Sequence, residues 1–217
     1  APAPGSLRQT RDDGVVRQTL PLQGTARWAL ARQDARLDFP AAANAFSCAL
    51  GVPITEAGAP DLYGLLRRTL ADLALATASA KRAYQRARPF MVNGAPTCTP
   101  EEAPKLRSDG AYPSGHAATG WGWALILSEL APDRAEALLA RGLAFGESRV
   151  VCNVHWHSDV VAGRLVGAAA VAQLHTRGAF RDAMAAAEGE IRRLREAGAR
   201  PARDCAAEAA ALAEMPP

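Results

Sequence analysis

The chain has 217 residues, 49% hydrophobic and 22% charged, with 25 Lys and Arg against 22 Asp and Glu for a net charge of +3. That is enough for one sizeable core. The two signs of charge are interspersed as on solvated helix faces, with no basic stripe and interleaved aromatics, so nucleic-acid binding is not expected. The most apolar stretch, Val160 to Leu174, is shorter than the ~20 residues of a membrane span and contains Arg164, so it reads as a buried helix and no span is expected.

Ala and Leu dominate while β-branched and aromatic residues are sparse, and apolar residues recur at three- and four-residue spacing, which predicts an all-α protein. Residues 1–24 are of mixed polarity with prolines near both ends and read as an irregular arm; residues 25–217 read as a single domain, since no linker or repeat divides them. The opening Ala-Pro-Ala-Pro-Gly-Ser reads as the start of a processed chain without a signal peptide. Helices are expected over 26–37 and over 41–50, the second stopping at Gly51. After Pro60, Asp61 is placed to cap a long helix whose Leu62, Leu65, Leu66, Leu70, Leu73 and Leu75 share a face, and which runs to Arg88, where Pro89 ends it.

Residues 90–112 hold three prolines and two glycines without periodicity and read as a loop, long enough to be functional or pinned by Cys98. Ser114 caps a helix to Leu130, Pro132 begins another to Glu147, and further helices are expected over 153–174 and 180–197. The tail from Gly198 packs only if Cys205 holds it. The four cysteines, Cys48, Cys98, Cys152 and Cys205, lack a CxxC pair, which argues against zinc. They allow three disulfide connectivities, and two bridges or buried thiols both stay open.

Three fragments carry chemistry. Lys81 and Arg88, seven apart, are expected on one helical face, with Arg88 fixed by the helix end and able to grip phosphate through its planar fork. Pro113-Ser114-Gly115-His116 opens a helix, where unpaired backbone N–H groups and the dipole favour an anion, Gly115 permits close approach, and His116 stands ready to donate a proton. His155 and Asp159, at i and i+4 on an expected helix, let the carboxylate fix the imidazole tautomer and leave the other ring nitrogen free to attack. Arg149 reaches the same place from the preceding turn. His155-Trp156-His157-Ser158-Asp159 also invites a zinc reading, which fails because Val160 follows where that signature needs His and too few histidines remain. His157 is read as a neighbour of the site and His175 as a partner of a helix dipole.

Lys-x6-Arg-Pro, Pro-Ser-Gly-His and Ser-Arg-x5-His-x3-Asp, in that order, resemble the signature of the PAP2 phosphatase and vanadium haloperoxidase superfamily. Asp109 through His116, Ser148 through Cys152 and His155 through Asp159, with Ala42, Asn44, Ala45, Phe46, Thr97 and Cys98, are similar to the bacterial class A nonspecific acid phosphatases over residues 40–185. Ala111, Ala117 and His157 depart from the usual Ser, Thr and Gln. The resemblance implies a helical bundle of the PAP2/haloperoxidase-like type and a Cys98–Cys152 bridge, which leaves Cys48 and Cys205 for a second. It also implies a periplasmic or secreted bacterial enzyme that uses no cofactor or metal and acts on phosphomonoesters. His155 is then the nucleophile, His116 the acid, and Asp159 the stabiliser, with phosphate held by Lys81, Arg88, Ser114, Gly115 and Arg149. Inorganic phosphate is a product, vanadate an expected inhibitor, and EDTA expected to be without effect. Phosphotransfer to other alcohols and homo-oligomerisation are left open. A vanadate-dependent haloperoxidase is the main alternative and a metallohydrolase the weaker one.

Overall fold

The computed structural model describes residues 1–214. It contains α1 (Leu7–Thr19), α2 (Ala26–Asp34), α3 (Ala41–Asn44), α4 (Ser47–Leu50), α5 (Pro60–Leu75), α6 (Ala78–Tyr84), α7 (Pro89–Asn93), α8 (Ala103–Arg107), α9 (Gly115–Leu130), α10 (Ala135–Val151), α11 (His157–Leu174), α12 (Gly178–Glu196) and α13 (Cys205–Ala213). Among the described residues there is no strand, as the helical periodicity predicts.

Helix α9 is apolar on every side, with Ala117, Ala118, Trp123, Ile126 and Leu127 all buried, and a helix of that kind has to be covered by others. Helices α10, α11 and α5 lie along it, and α12 covers α5. Gly163 and Gly167 of α11 face the carbonyl oxygens of Ser114 and Ala118, and a Cβ at either would overlap them. Glycine at these two places therefore lets the first turns of α9 and α11 approach closely, which brings two of the three chemical fragments together.

Several expected elements differ. Residues 1–24 are not irregular: Ser6 accepts a hydrogen bond from the Gln9 N–H and starts α1, a helix whose polar face hid the packing of Asp12 and Val16. Helix α5 begins at Pro60 with no side-chain cap from its own segment. Glu190 of α12 caps it from a distance, its carboxylate accepting from the N–H groups of Asp61 and Leu62 at 3.1 and 2.8 Å. Nor does α5 reach Arg88. The Thr77 hydroxyl bonds back to the Ala74 carbonyl where α5 gives way to α6, and Gln85 ends α6 in the left-handed conformation. Lys81 and Arg88 consequently do not share a helix.

The loop expected over 90–112 contains α7 and α8 and a 3₁₀ turn at Pro100–Glu102, each opened by a proline at its first positions. Disulfides join Cys98 to Cys152 and Cys48 to Cys205. The second ties down α13, so the tail is packed. No helix among the described residues is long and apolar enough to cross a membrane.

Candidate active site

Backbone hydrogen bonds weld the three fragments. The Ser114 N–H donates to the Asp159 carbonyl at 2.9 Å, and the N–H groups of Val154 and His155 both donate to the Arg149 carbonyl. The Ala111 N–H donates to the Arg86 carbonyl, and the Trp156 indole donates to the Ala87 carbonyl at 2.8 Å. Arg88 takes the extended conformation that Pro89 demands of the residue before it, which turns its side chain into the site. Its Nη1 donates to the Val154 carbonyl at 2.9 Å and lies 3.1 Å from His155 Nε2.

Three cations converge here, each at least four-fifths withdrawn from solvent. Lys81 Nζ and Arg88 Nη2 meet on one oxygen of Asp109, at 2.9 and 3.1 Å, and Lys81 also donates to the Gly110 carbonyl. Burial lowers the pKa of both against the pull of Asp109. Arg149, fully buried on the last turn of α10, differs: none of its three guanidinium nitrogens has a hydrogen-bond partner, and Glu102 Oε2 stands 3.9 Å from Nη2. Burial brings its pKa down to about 10. An orphaned buried guanidinium is costly to fold around, and an oxyanion is the group that satisfies it. Its neighbour Ser148 is locked elsewhere, donating to Asp34 at 2.6 Å and accepting from Arg27 at 3.0 Å.

His155 is not on the expected helix. It sits in the turn between α10 and α11, while Asp159 occupies the first turn of α11, so the pair is held by a helix entry and not by i, i+4 helical spacing. A guanidinium only donates, so His155 Nε2 must accept from Arg88, and the ring proton is therefore on Nδ1. Nδ1 faces Asp159 Oδ2 at 3.4 Å, long for a hydrogen bond, and has no other partner. The same Asp159 oxygen accepts the Trp156 N–H at 2.9 Å. Burial raises the Asp159 pKa, opposed chiefly by Arg86. Burial and then the charge of Arg88 push His155 well below the usual imidazole range.

Ser114 caps α9 by accepting the Ala117 N–H, which leaves its own hydroxyl proton to donate. Gly115 is the first residue of α9 and His116 the second. His116 makes no hydrogen bond to the other site side chains; its Nε2 donates to the Ala35 carbonyl at 2.9 Å and its ring stacks on Phe145. Burial, followed by Arg149, lowers its pKa well below the usual value. His157 turns away from these groups into a cavity of about 540 Å³ shared with Tyr84, Tyr112 and Arg11.

Arg86 and Asp109 also contact the gathered side chains, and sequence reasoning gave neither of them a role. Residues 85–88 are not helical, and Arg86 and Arg88 reach Asp159 and His155 respectively. The signal was the Arg-x-Arg-Pro spacing, concealed by the assumption of a continuous helix.

The model of the PAP2 superfamily matches residues 64–181, and the chain belongs to that superfamily. A non-specific acid phosphatase of Providencia stuartii is 42% identical over 196 residues, which is 90% of this chain and 79% of the relative. An acid phosphatase of Zymomonas mobilis is 41% identical over 89% of this chain and 74% of its own length. A non-specific acid phosphatase of Salmonella typhimurium is 43% identical over 78% and 68%. Within the superfamily, then, the chain is one of the bacterial non-specific acid phosphatases.

Proposed function

We propose that the protein hydrolyses phosphate monoesters without a metal through a phosphohistidine at His155. The observation that carries this reading is the unpartnered guanidinium of Arg149, buried where the backbone holds His155 with its Nε2 lone pair directed at Arg88. Lys81, Arg88 and Arg149 bind the phosphoryl oxygens, helped by the Ser114 hydroxyl and the first N–H groups of α9 at Gly115. His155 Nε2 forms the bond to phosphorus as the bond to the leaving oxygen breaks, and that oxygen takes a proton from His116. The ring now carries positive charge, which Asp159 balances across Nδ1. Water attacks phosphorus next, losing its proton to His116, and releases inorganic phosphate. Another alcohol in place of water gives phosphotransfer. Each cation at ~4 Å is worth about 4 kcal/mol at an effective dielectric of ~20 before desolvation, so positioning three of them supplies much of the catalysis.

The test is rapid quenching with labelled p-nitrophenyl phosphate: acid-labile, base-stable label on His155 is expected, and a burst absent from all quench times overturns the reading. Vanadate, which adopts a trigonal-bipyramidal geometry, inhibits on this mechanism. Two disulfides and the bacterial relatives support a periplasmic or secreted location.

Asp109 competes with substrate for Lys81 and Arg88. Asp109→Asn is expected to lower KM and the inhibition constant of phosphate together by about three- to ten-fold, roughly what one exposed-side charge contributes. A rise in both would mean that Asp109 orients the cations.

The pH dependence follows from the same charges. His155 must be neutral and His116 protonated, and both pKa values are lowered from the ordinary imidazole range because burial and cations disfavour the charged form. The bell in kcat/KM is thus centred in acid. A bound phosphoryl anion favours protonation of both rings, so the bell in kcat is expected at higher pH than that in kcat/KM. Superimposed profiles would contradict the assignment.

A further inference from the structure

We propose that Arg86, held by Asp12 of α1, is a positioning residue that fixes the orientation and ionisation of Asp159 and, through it, the tautomer of His155. The inference rests on the phosphohistidine reading above. Arg86 Nη1 donates to Asp159 Oδ1 and to Ser158 Oγ at 2.8 Å; Nη2 donates to Asp12 Oδ2 at 2.7 Å and to Gln9 Oε1 at 2.6 Å. The guanidinium lies over the Trp156 ring, 5.2 Å from its centroid. Its plane is therefore fixed from both edges and one face, and only one orientation of Asp159 meets it.

Asp12 is 1% exposed, and both its oxygens are used: Oδ1 accepts the Ser158 N–H at 2.8 Å, while Oδ2 accepts the Ser158 hydroxyl at 2.6 Å and Arg86. The Ser158 N–H belongs to the first turn of α11, where a carboxylate also meets the helix dipole favourably. So α1 docks on the end of α11 that carries Asp159. A tie serving α1 alone would need only Asp12 and Ser158. Arg86 extends it to the carboxylate facing His155.

Charge counting gives this chain of contacts a chemical role. Two buried carboxylates against one guanidinium leave one net negative charge facing Nδ1. That charge balances the positive ring formed when Nε2 bonds to phosphorus. The other groups whose charge reaches Asp159 are His155 itself, Lys81 at the end of α6 and Arg88 at the start of α7.

The two partners of this relay carry opposite charge, which yields a signature that a purely structural tie does not have. In R86Q a cation beside Asp159 and His155 is lost, both hold protons more tightly, and the acid limb of kcat moves to higher pH. In D12N an anion is lost, both release protons more readily, and the limb moves to lower pH. Each shift is expected to be about one pH unit, with kcat at the optimum reduced roughly 10- to 100-fold and KM changed by less than about two-fold. R86K, which restores the charge, is expected to return the limb towards its original position.

Circular dichroism establishes that each variant is folded. ¹⁵N spectra of labelled histidine give a readout independent of turnover: His155 is expected as the Nδ1–H tautomer in the parent and as a mixture in R86Q. Profiles that overlay the parent, or that move the same way in R86Q and D12N, overturn the inference. Should R86Q not fold, the direction in D12N and the histidine spectrum of R86K decide. A parent that never carries labelled phosphate on His155 would instead mark failure of the phosphohistidine reading, leaving the two failures distinguishable.

Discussion

Replacing His155 with alanine is expected to lower kcat by at least about 10⁴-fold, because on the proposed mechanism the step that forms the enzyme–phosphorus bond has no substitute. That loss corresponds to about 5.5 kcal/mol of transition-state stabilisation. No other histidine is positioned to take over. His116 is committed to the Ala35 carbonyl through Nε2, His157 faces a separate cavity, and His175 pairs with Glu129 at 3.1 Å. Substrate binding should survive, since Lys81, Arg88 and Arg149 are untouched and the loss of an accepting nitrogen frees Arg88 Nη1 for the anion. The expected pattern is a collapse of kcat with phosphate still bound, measured by steady-state kinetics beside calorimetric titration of phosphate, and no label trapped on quenching. A variant retaining more than a tenth of the parental kcat would remove His155 from the nucleophile's role.

The fragments that the structure brings together were readable because the proposed phosphoryl transfer needs a small and unusual set of groups, and the three fragments hold them in short spans. The local geometry was less readable. The expected helix through Arg88 rested on Leu62 to Leu75, and nothing in their spacing reveals that Thr77 and Gln85 interrupt it; yet that interruption is what places Arg88 on extended backbone beside His155. The same holds for His155 and Asp159, whose separation fits a helical turn but is realised across a helix entry. Partners remote in the chain were the hardest to foresee. Asp12 lies 146 residues from Ser158, and Glu190 lies 129 from Asp61; each is a common surface residue type until tertiary packing buries it. Both disulfides formed as the family resemblance implies, which also explains how α13 and the segment of α7 and α8 are held in place.

Arg149→Met is expected to separate function from stability most sharply. The guanidinium is fully buried with three unpartnered nitrogens, and burial brings its pKa down to about 10 from the ordinary arginine range. A base whose pKa is depressed in the folded state destabilises that state while it remains protonated. The penalty is fully present below the folded pKa and fades as pH rises towards the unfolded value, so at neutral pH it is at its full size, about 3 kcal/mol for a shift of this order. Methionine fills similar space without charge, and the variant should melt several degrees higher in phosphate-free buffer by differential scanning calorimetry. Its kcat/KM should fall by about 10³-fold if Arg149 binds the phosphoryl oxygens as proposed, since a buried cation so placed is among the largest electrostatic contributors to the transition state. Added phosphate should raise the melting temperature of the parent, in which the anion satisfies the orphaned guanidinium, and should leave the variant nearly unmoved. A variant that melts lower and still responds to phosphate would show that Glu102, at 3.9 Å, already satisfies Arg149, and that the anion is held by Lys81 and Arg88 instead.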